Sequence, residues 1–213
     1  FILKGYKKYK ISKKEFSLLK EKIPFMRDSY GHSMLSVVGI YADKLIVAPL
    51  FGYSFLGNYQ LSFQILMILT MISGIVFSYL LPQEASGRPH RKLWLITILI
   101  VLVSSILTIV LAPSVLPILM PKYIPAIDLI QIMSIAAVSM TITLRYTSKF
   151  LGNEKSKIVI VGKAIYLTSH IIGIFSIGTE FGIQGVAISF VIASSIEALY
   201  FVTINRMLNK KTQ

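Results

Sequence analysis

Residues 33–52 read SMLSVVGIYADKLIVAPLFG, a stretch long enough to cross a bilayer, with Asp43 and Lys44 near its middle. A bilayer core of about 30 Å takes roughly 20 apolar residues to cross as a helix. A charge at that depth costs at least about 2.5–3.5 kcal/mol on insertion scales, so it faces protein or a water-filled cavity rather than lipid. Neighbouring positions on a helix point in different directions, so Asp43 and Lys44 are expected to need partners other than each other.

Working outward, the rest of the chain has the same character. Hydrophobic residues make up 54% and charged residues 15% of 213, with a mean hydropathy of +0.71. Soluble domains carry about 25% charged residues. The reading is an all-α integral membrane protein. Five further spans follow the first, at about 59–81, 93–112, 126–146, 158–177 and 184–204, with Pro82 and Pro113 expected to end the second and third. A Pro-rich connection, SVLPILMPKYIP, is expected between the third and fourth. No alternation long enough for a barrel strand is present.

Residues 1–31 form the one sizeable segment outside the spans. A basic run, KGYKKYKISKK, leads into EFSLLKEKIPFM, where Phe16, Leu19, Ile23 and Met26 recur at helical spacing. Ser12 stands three residues before Glu15, the pattern of a capping box. A short amphipathic helix in the membrane interface is expected over 12–27, ended or bent by Pro24. Residues 32–206 then form the six-helix lobe and 207–213 a cytoplasmic tail. The first residue is Phe1, not Met, and the chain is expected to be part of something longer.

Charge placement tests the count of spans. Nine Lys and Arg fall in 1–31, three in 82–92, four in 145–157 and three in 205–213, whereas the alternate loops hold Lys122 alone. Such alternation is what the positive-inside rule expects for six spans with both ends cytoplasmic. It also accounts for the net charge of +13 without a nucleic-acid partner. The absence of cysteine excludes a disulfide framework and thiolate metal sites.

Polar residues within the spans mark candidate pathway positions. His32, Ser36, Gly39 and Asp43 share one face of the first span, and Gln60, Gln64, Met67 and Met71 one face of the second. Lys163, Tyr166 and His170 line up on the fifth, and Ser194 and Glu197 on the sixth. The candidate substrate or ion pathway is therefore Asp43, Lys44, Gln64, Lys163, His170 and Glu197. Several have plainer readings: Lys163 can snorkel to the nearby interface, His170 can be a packing residue, and Glu197 can sit in a structural ion pair. There is no phosphate loop, no HExxH, no paired acidic motif such as DDxxD, and no Cys or His cluster, so an enzyme is not expected.

Four stretches resemble the C-terminal half of Wzx-type polysaccharide flippases, in the multidrug/oligosaccharidyl-lipid/polysaccharide exporter superfamily. YADKLIVAPLFGYSFLGNYQLSFQI is similar to that family's seventh span and the turn after it, and MPKYIPAIDLIQIMSI to the start of the tenth. LGNEKSKIVIVGKAI resembles the turn into the eleventh and FGIQGVAISFVIASSIEALY the start of the twelfth. The resemblance extends over about 25–208.

The resemblance implies one lobe of a two-lobe exporter in the cell membrane, moving a lipid-linked oligosaccharide by alternating access. Segment 12–27 would be the linker between lobes, and the N-terminal lobe would be a missing partner or a second half-transporter. Lys44 and Lys163 would attract the substrate's diphosphate or acidic sugars. Asp43 and Glu197 would hold those cations or take part in coupling to a proton or sodium ion. No other cofactor is expected. Two alternatives stand beside it: a proton- or cation-coupled multidrug antiporter lobe, and a non-transporting half-protein or scaffold.

Overall fold

The computed structural model describes residues 13–87 and 90–210, and these are almost entirely helical. The elements are α1 (Lys13–Phe51), α2 (Tyr53–Ala85), α3 (Arg91–Leu119), a 3₁₀ segment (Pro121–Ala126), α4 (Ile127–Gly152), α5 (Ser156–Gly173), a π-helical turn (Ile174–Gly178) and α6 (Thr179–Lys210). Five stretches are long and apolar enough to cross a membrane, the fifth being the 55 residues of Ser156–Lys210. These features are compatible with a multi-pass membrane protein. α3, 29 residues long, spans about 43 Å at 1.5 Å per residue, more than a bilayer core.

The fifth stretch turns back on itself. Gly182 has φ +61 and ψ −144, a conformation that breaks the helix and suits glycine. On either side of it, Gly178 lies against Val186, Gly173 against Ser189 and Gly162 against Phe201. Each pair is farther from the turn than the last, so α5 and α6 run antiparallel. A Cβ on Gly173 would sit 2.5 Å from that of Ser189, and one on Gly185 would collide with the Ile177 carbonyl. Glycine at these positions is what lets the two backbones approach so closely.

The same pairing argument orders the other helices. α4 and α6 are joined by Asp128–Gln184, Ser139–Ser195 and Lys149–Asn205, each pair 56 residues apart, so these two helices are parallel. α2 joins them in parallel through Ser62 to the Ala126 carbonyl and Ser73 to Thr141. α1 runs parallel to α5, with Lys22 on Glu154, Gly31 against Ile160 and Gly39 against Leu167. α3 runs against α4, with Gln131 on the Ile109 carbonyl and Trp94 beside Tyr146, so α1, α3 and α5 point one way and α2, α4 and α6 the other. The start of α1 and the end of α6 lie at one end of the bundle, together with Lys149, Lys155 and Lys157.

α3 lies outside the ring formed by the other five, packed on α2 and α4. Its outward side chains, among them Leu95, Leu99, Val103 and Val110, are exposed. The main core is built from Val47, Tyr59, Leu66, Met133, Ala137, Phe190 and Ala193 with their neighbours. Small residues on α4 and α6 bring those helices close together.

Proline does not stop these helices as the sequence suggested. α1 continues through Pro24 and Pro49, α2 passes Pro82 to reach Ala85, and α3 passes Pro113 and Pro117. The expected Pro-rich connection is thus largely helical, closed by the 3₁₀ segment. Each proline removes one donor, and in an apolar bundle the best remaining way to satisfy the other backbone groups is still the helix. Segment 13–27 is the first part of α1 and not a separate helix. Ile23 and Met26 are exposed on it. Ser12, the basic run before it, the side chains of Phe16 and Leu19, and 211–213 lie outside the described residues.

Candidate functional site

The joint between α1 and α2 is a single residue, Gly52, at φ +88. So short a connection folds α2 back along α1 and sets Asp43 level with Tyr59. The Tyr59 hydroxyl donates to Asp43 Oδ2 at 2.6 Å. Asp43 Oδ1 accepts the Lys44 backbone N–H at 2.7 Å. Both Asp43 and Tyr59 are buried.

Contrary to the expectation from helix geometry, Lys44 also partners its neighbour: Nζ lies 3.3 Å from Asp43 Oδ1. Helical side chains lean toward the N-terminus. The four-carbon stem of Lys44 leans that way far enough for Nζ to donate to the Ile40 carbonyl, and the ammonium passes the carboxylate on the way. The ammonium also stands 3.9 Å from the centre of the Phe63 ring, a cation–π contact.

A second pair lies across α5 and α6. Lys163 Nζ is 3.8 Å from Glu197 Oε1 and 4.4 Å from the centre of the Tyr166 ring. Lys163 therefore faces the interior instead of reaching for an interface.

Aromatic rings connect the two pairs. Phe63 meets Phe190 edge-on at 6.0 Å, and Phe190 meets Tyr166 edge-on at 6.0 Å. His170 stacks on Tyr166 and meets Phe190 edge-on at 5.4 Å. Its Nδ1 is 3.2 Å from Ser189 Oγ, and its Nε2 is buried with no partner among the described residues. Each ammonium thus rests on a ring, and Phe190 sits between the two rings.

A cleft of about 130 Å³ opens over this arrangement. α1 contributes Ser36 and Gly39, α2 Phe63 and Met67, α4 Met140, α5 Lys163 and α6 Glu197. Five helices meet here, and only α3 takes no part. No protein-family model, curated protein or solved structure matches this chain. The functional reading rests on this geometry.

Of the six candidate residues, the structure gathers Asp43, Lys44, Lys163, His170 and Glu197 around one aromatic cluster. Gln64 is placed elsewhere, in an apolar groove between α2 and α3 lined by Leu61, Ile68, Leu111 and Leu116. Gln64 and Met67 share one broad face of α2, about 60° apart around the helix, and the edge of that face that carries Gln64 is turned toward α3. Tyr59, Phe63 and Phe190 were not singled out in the sequence. Tyr59 had a readable signal: it follows Gly52 by nearly as many residues as Asp43 precedes it.

Asp128 sits at the opposite end of α4 and is exposed, accepting from Gln184 Nε2 at 2.9 Å. Among the described residues no group of three or more His, Cys, Asp or Glu side chains is placed to hold a metal ion. Chemically, the cleft wall holds one cation, Lys163, beside the Glu197 carboxylate and the Tyr166 ring, with Ser36, Thr143 and Ser194 among apolar side chains; the Lys44–Asp43 pair adjoins it through the Phe63 ring.

Proposed function

We propose that the chain is a six-span lobe of a lipid-linked oligosaccharide flippase, with both ends cytoplasmic and the cleft facing a second lobe. The observation that carries this reading is the layering of the two ion pairs. The side chains of Lys44 and Lys163 keep 15% and 19% of their surface exposed, against 0% and 5% for Asp43 and Glu197. Each ammonium is therefore the more exposed member of its pair; Lys163 and Glu197 both line the cleft, and Lys44 and Asp43 adjoin it through Phe63. An anionic group such as a sugar-linked diphosphate meets the exposed cations first, whereas a cationic drug would need the carboxylates in front. This ordering favours the flippase over a cation antiporter.

The six-span count is supported by the alternating helix directions and by the basic residues gathered at the end where α1 begins. The cleft is partly open, and alternating access requires an opposite wall, supplied by another lobe. A site at the interface of two such lobes could bind substrate from either face in turn.

The test is reconstitution in vesicles, together with the second lobe where that is a separate chain. A fluorescent lipid-linked oligosaccharide and a cationic dye are followed in parallel. Flipping of the sugar lipid, lost in Lys44→Ala, is the expected result. Full activity in Lys44→Ala at normal expression overturns the role of that residue. Export of the dye alone turns the reading to the antiporter, and movement of neither probe turns it to a scaffold.

A further inference from the structure

At the basic end of the bundle, with a lining of its own, lies a larger polar pocket of about 430 Å³. It is bounded by Glu84 of α2, Trp94 of α3, Arg145, Tyr146 and Lys149 of α4, and Asn205 of α6, with Gly87, Asn153 and Asn209 at its edges. None of these residues lines the cleft.

Its chemistry is specific. Arg145 rests 5.7 Å from the centre of the Tyr146 ring and has no carboxylate partner among the described residues. Lys149 donates to Asn205 Oδ1 at 2.7 Å, which fixes its ammonium in the pocket wall. Glu84 lines the same space yet pairs with neither cation. The C-terminal ends of α2, α4 and α6 point here and by themselves repel an anion, whereas the N-terminal end of α3 and the Arg145 guanidinium attract one. Trp94 is buried in the wall, with no hydrogen-bond partner for its indole N–H among the described residues. Immediately after it, Leu95, Ile96 and Leu99 begin the exposed apolar side of α3. The pocket therefore sits where polar end meets apolar flank, the level at which tryptophan and tyrosine collect in membrane proteins.

We propose that this pocket holds the headgroup of a membrane phospholipid, with its phosphate on Arg145 and Lys149 and a headgroup ammonium on Glu84. The acyl chains then follow the apolar flank of α3. Guanidinium suits the phosphate because its planar fork reaches two oxygens at once. Glu84 selects a primary ammonium, as in an ethanolamine headgroup, over a quaternary one that cannot donate a hydrogen bond. Basic pockets between helices at a membrane surface take lipid headgroups by the same electrostatics. The site does not depend on the flippase reading, and its failure would leave that reading intact.

Trp94 is the single tryptophan of the chain, which supplies the measurement. The full chain is titrated in mixed micelles with phosphatidylethanolamine carrying brominated acyl chains, and with its phosphatidylcholine counterpart. The expected result is quenching of Trp94 at a lower mole fraction of the ethanolamine lipid. Arg145→Ala should weaken this by about tenfold, as for loss of one hydrogen-bonded charge. Glu84→Gln should abolish the difference between the two lipids. If Arg145→Ala is not monodisperse, Asn209→Asp, which adds a carboxylate at the exposed rim, should weaken binding instead. Equal quenching by both lipids in the wild type, or no change in Arg145→Ala, overturns the proposal. So does protection from quenching by millimolar inorganic phosphate, which would make the pocket a site for the free ion.

Discussion

Tyr59 donates its phenolic hydroxyl to Asp43 at 2.6 Å across the one-residue joint between α1 and α2. That bond gives a carboxylate with no exposed surface a partner on a second helix. It also ties α1, which otherwise packs chiefly on α5, to the rest of the bundle.

Tyr59→Phe removes the donor and leaves Asp43 with partners from Lys44 alone. A hydrogen bond to a buried charge contributes about 1.5–3 kcal/mol. The variant should unfold at a lower temperature in detergent by an amount matching that range. An unchanged unfolding temperature would mean that the bond contributes nothing to holding α1.

Lys163 and Glu197 are largely buried partners, so removing one strands the other. Each single alanine variant should lose about 3 kcal/mol of stability. The double replacement Lys163→Ala with Glu197→Ala should lose less than the two single changes together. Thermal or denaturant unfolding of all variants in the same micelle measures the coupling. Strict additivity would show that the 3.8 Å approach carries no interaction.

The α5–α6 turn depends on close backbone approach at Gly185. Gly185→Ala drives a methyl group into the Ile177 carbonyl and should strongly reduce the yield of monodisperse protein. Gly74→Ala is the control, since a Cβ there meets nothing within 4 Å. It should be neutral or slightly stabilising, because alanine favours helix. Size-exclusion profiles distinguish the two, and equal behaviour would argue against the tight turn.

The chain has no cysteine, so single cysteines report topology directly. Asn153→Cys lies exposed at the basic end and Glu180→Cys exposed at the other. In intact cells an impermeant maleimide should label Glu180→Cys alone, and both after permeabilisation. Labelling of Asn153→Cys alone from outside would reverse the orientation, and labelling of both would mean that α5 does not cross the membrane.

Much of this arrangement is legible in the residues one at a time. Long apolar runs dictate helices because an apolar surrounding offers backbone groups no other partners. The length and apolar character of those runs match helices long enough to span a membrane. Where sequence reasoning failed, it relied on local rules that packing overrides. Pro24, Pro82 and Pro113 were read as boundaries, yet each costs a helix one donor while unwinding would expose several groups.

The site itself divides along the same line. Sequence alone identified Asp43 and Lys44 as charges that could not be left facing lipid, because the cost follows from depth in the bilayer and needs no knowledge of neighbours. It could not identify what they face. That Lys44 folds back onto Asp43, that Tyr59 caps the pair and that Phe190 joins it to Lys163 and Glu197 are consequences of side-chain direction and of contacts between residues up to 127 positions apart. Gln64 shows the limit from the other side: a polar residue on a promising face stands at the edge of it that is turned toward α3. Hydropathy is a property of each segment and survives without the fold, whereas which groups meet depends on how the helices are rotated and paired, and only their mutual packing decides that.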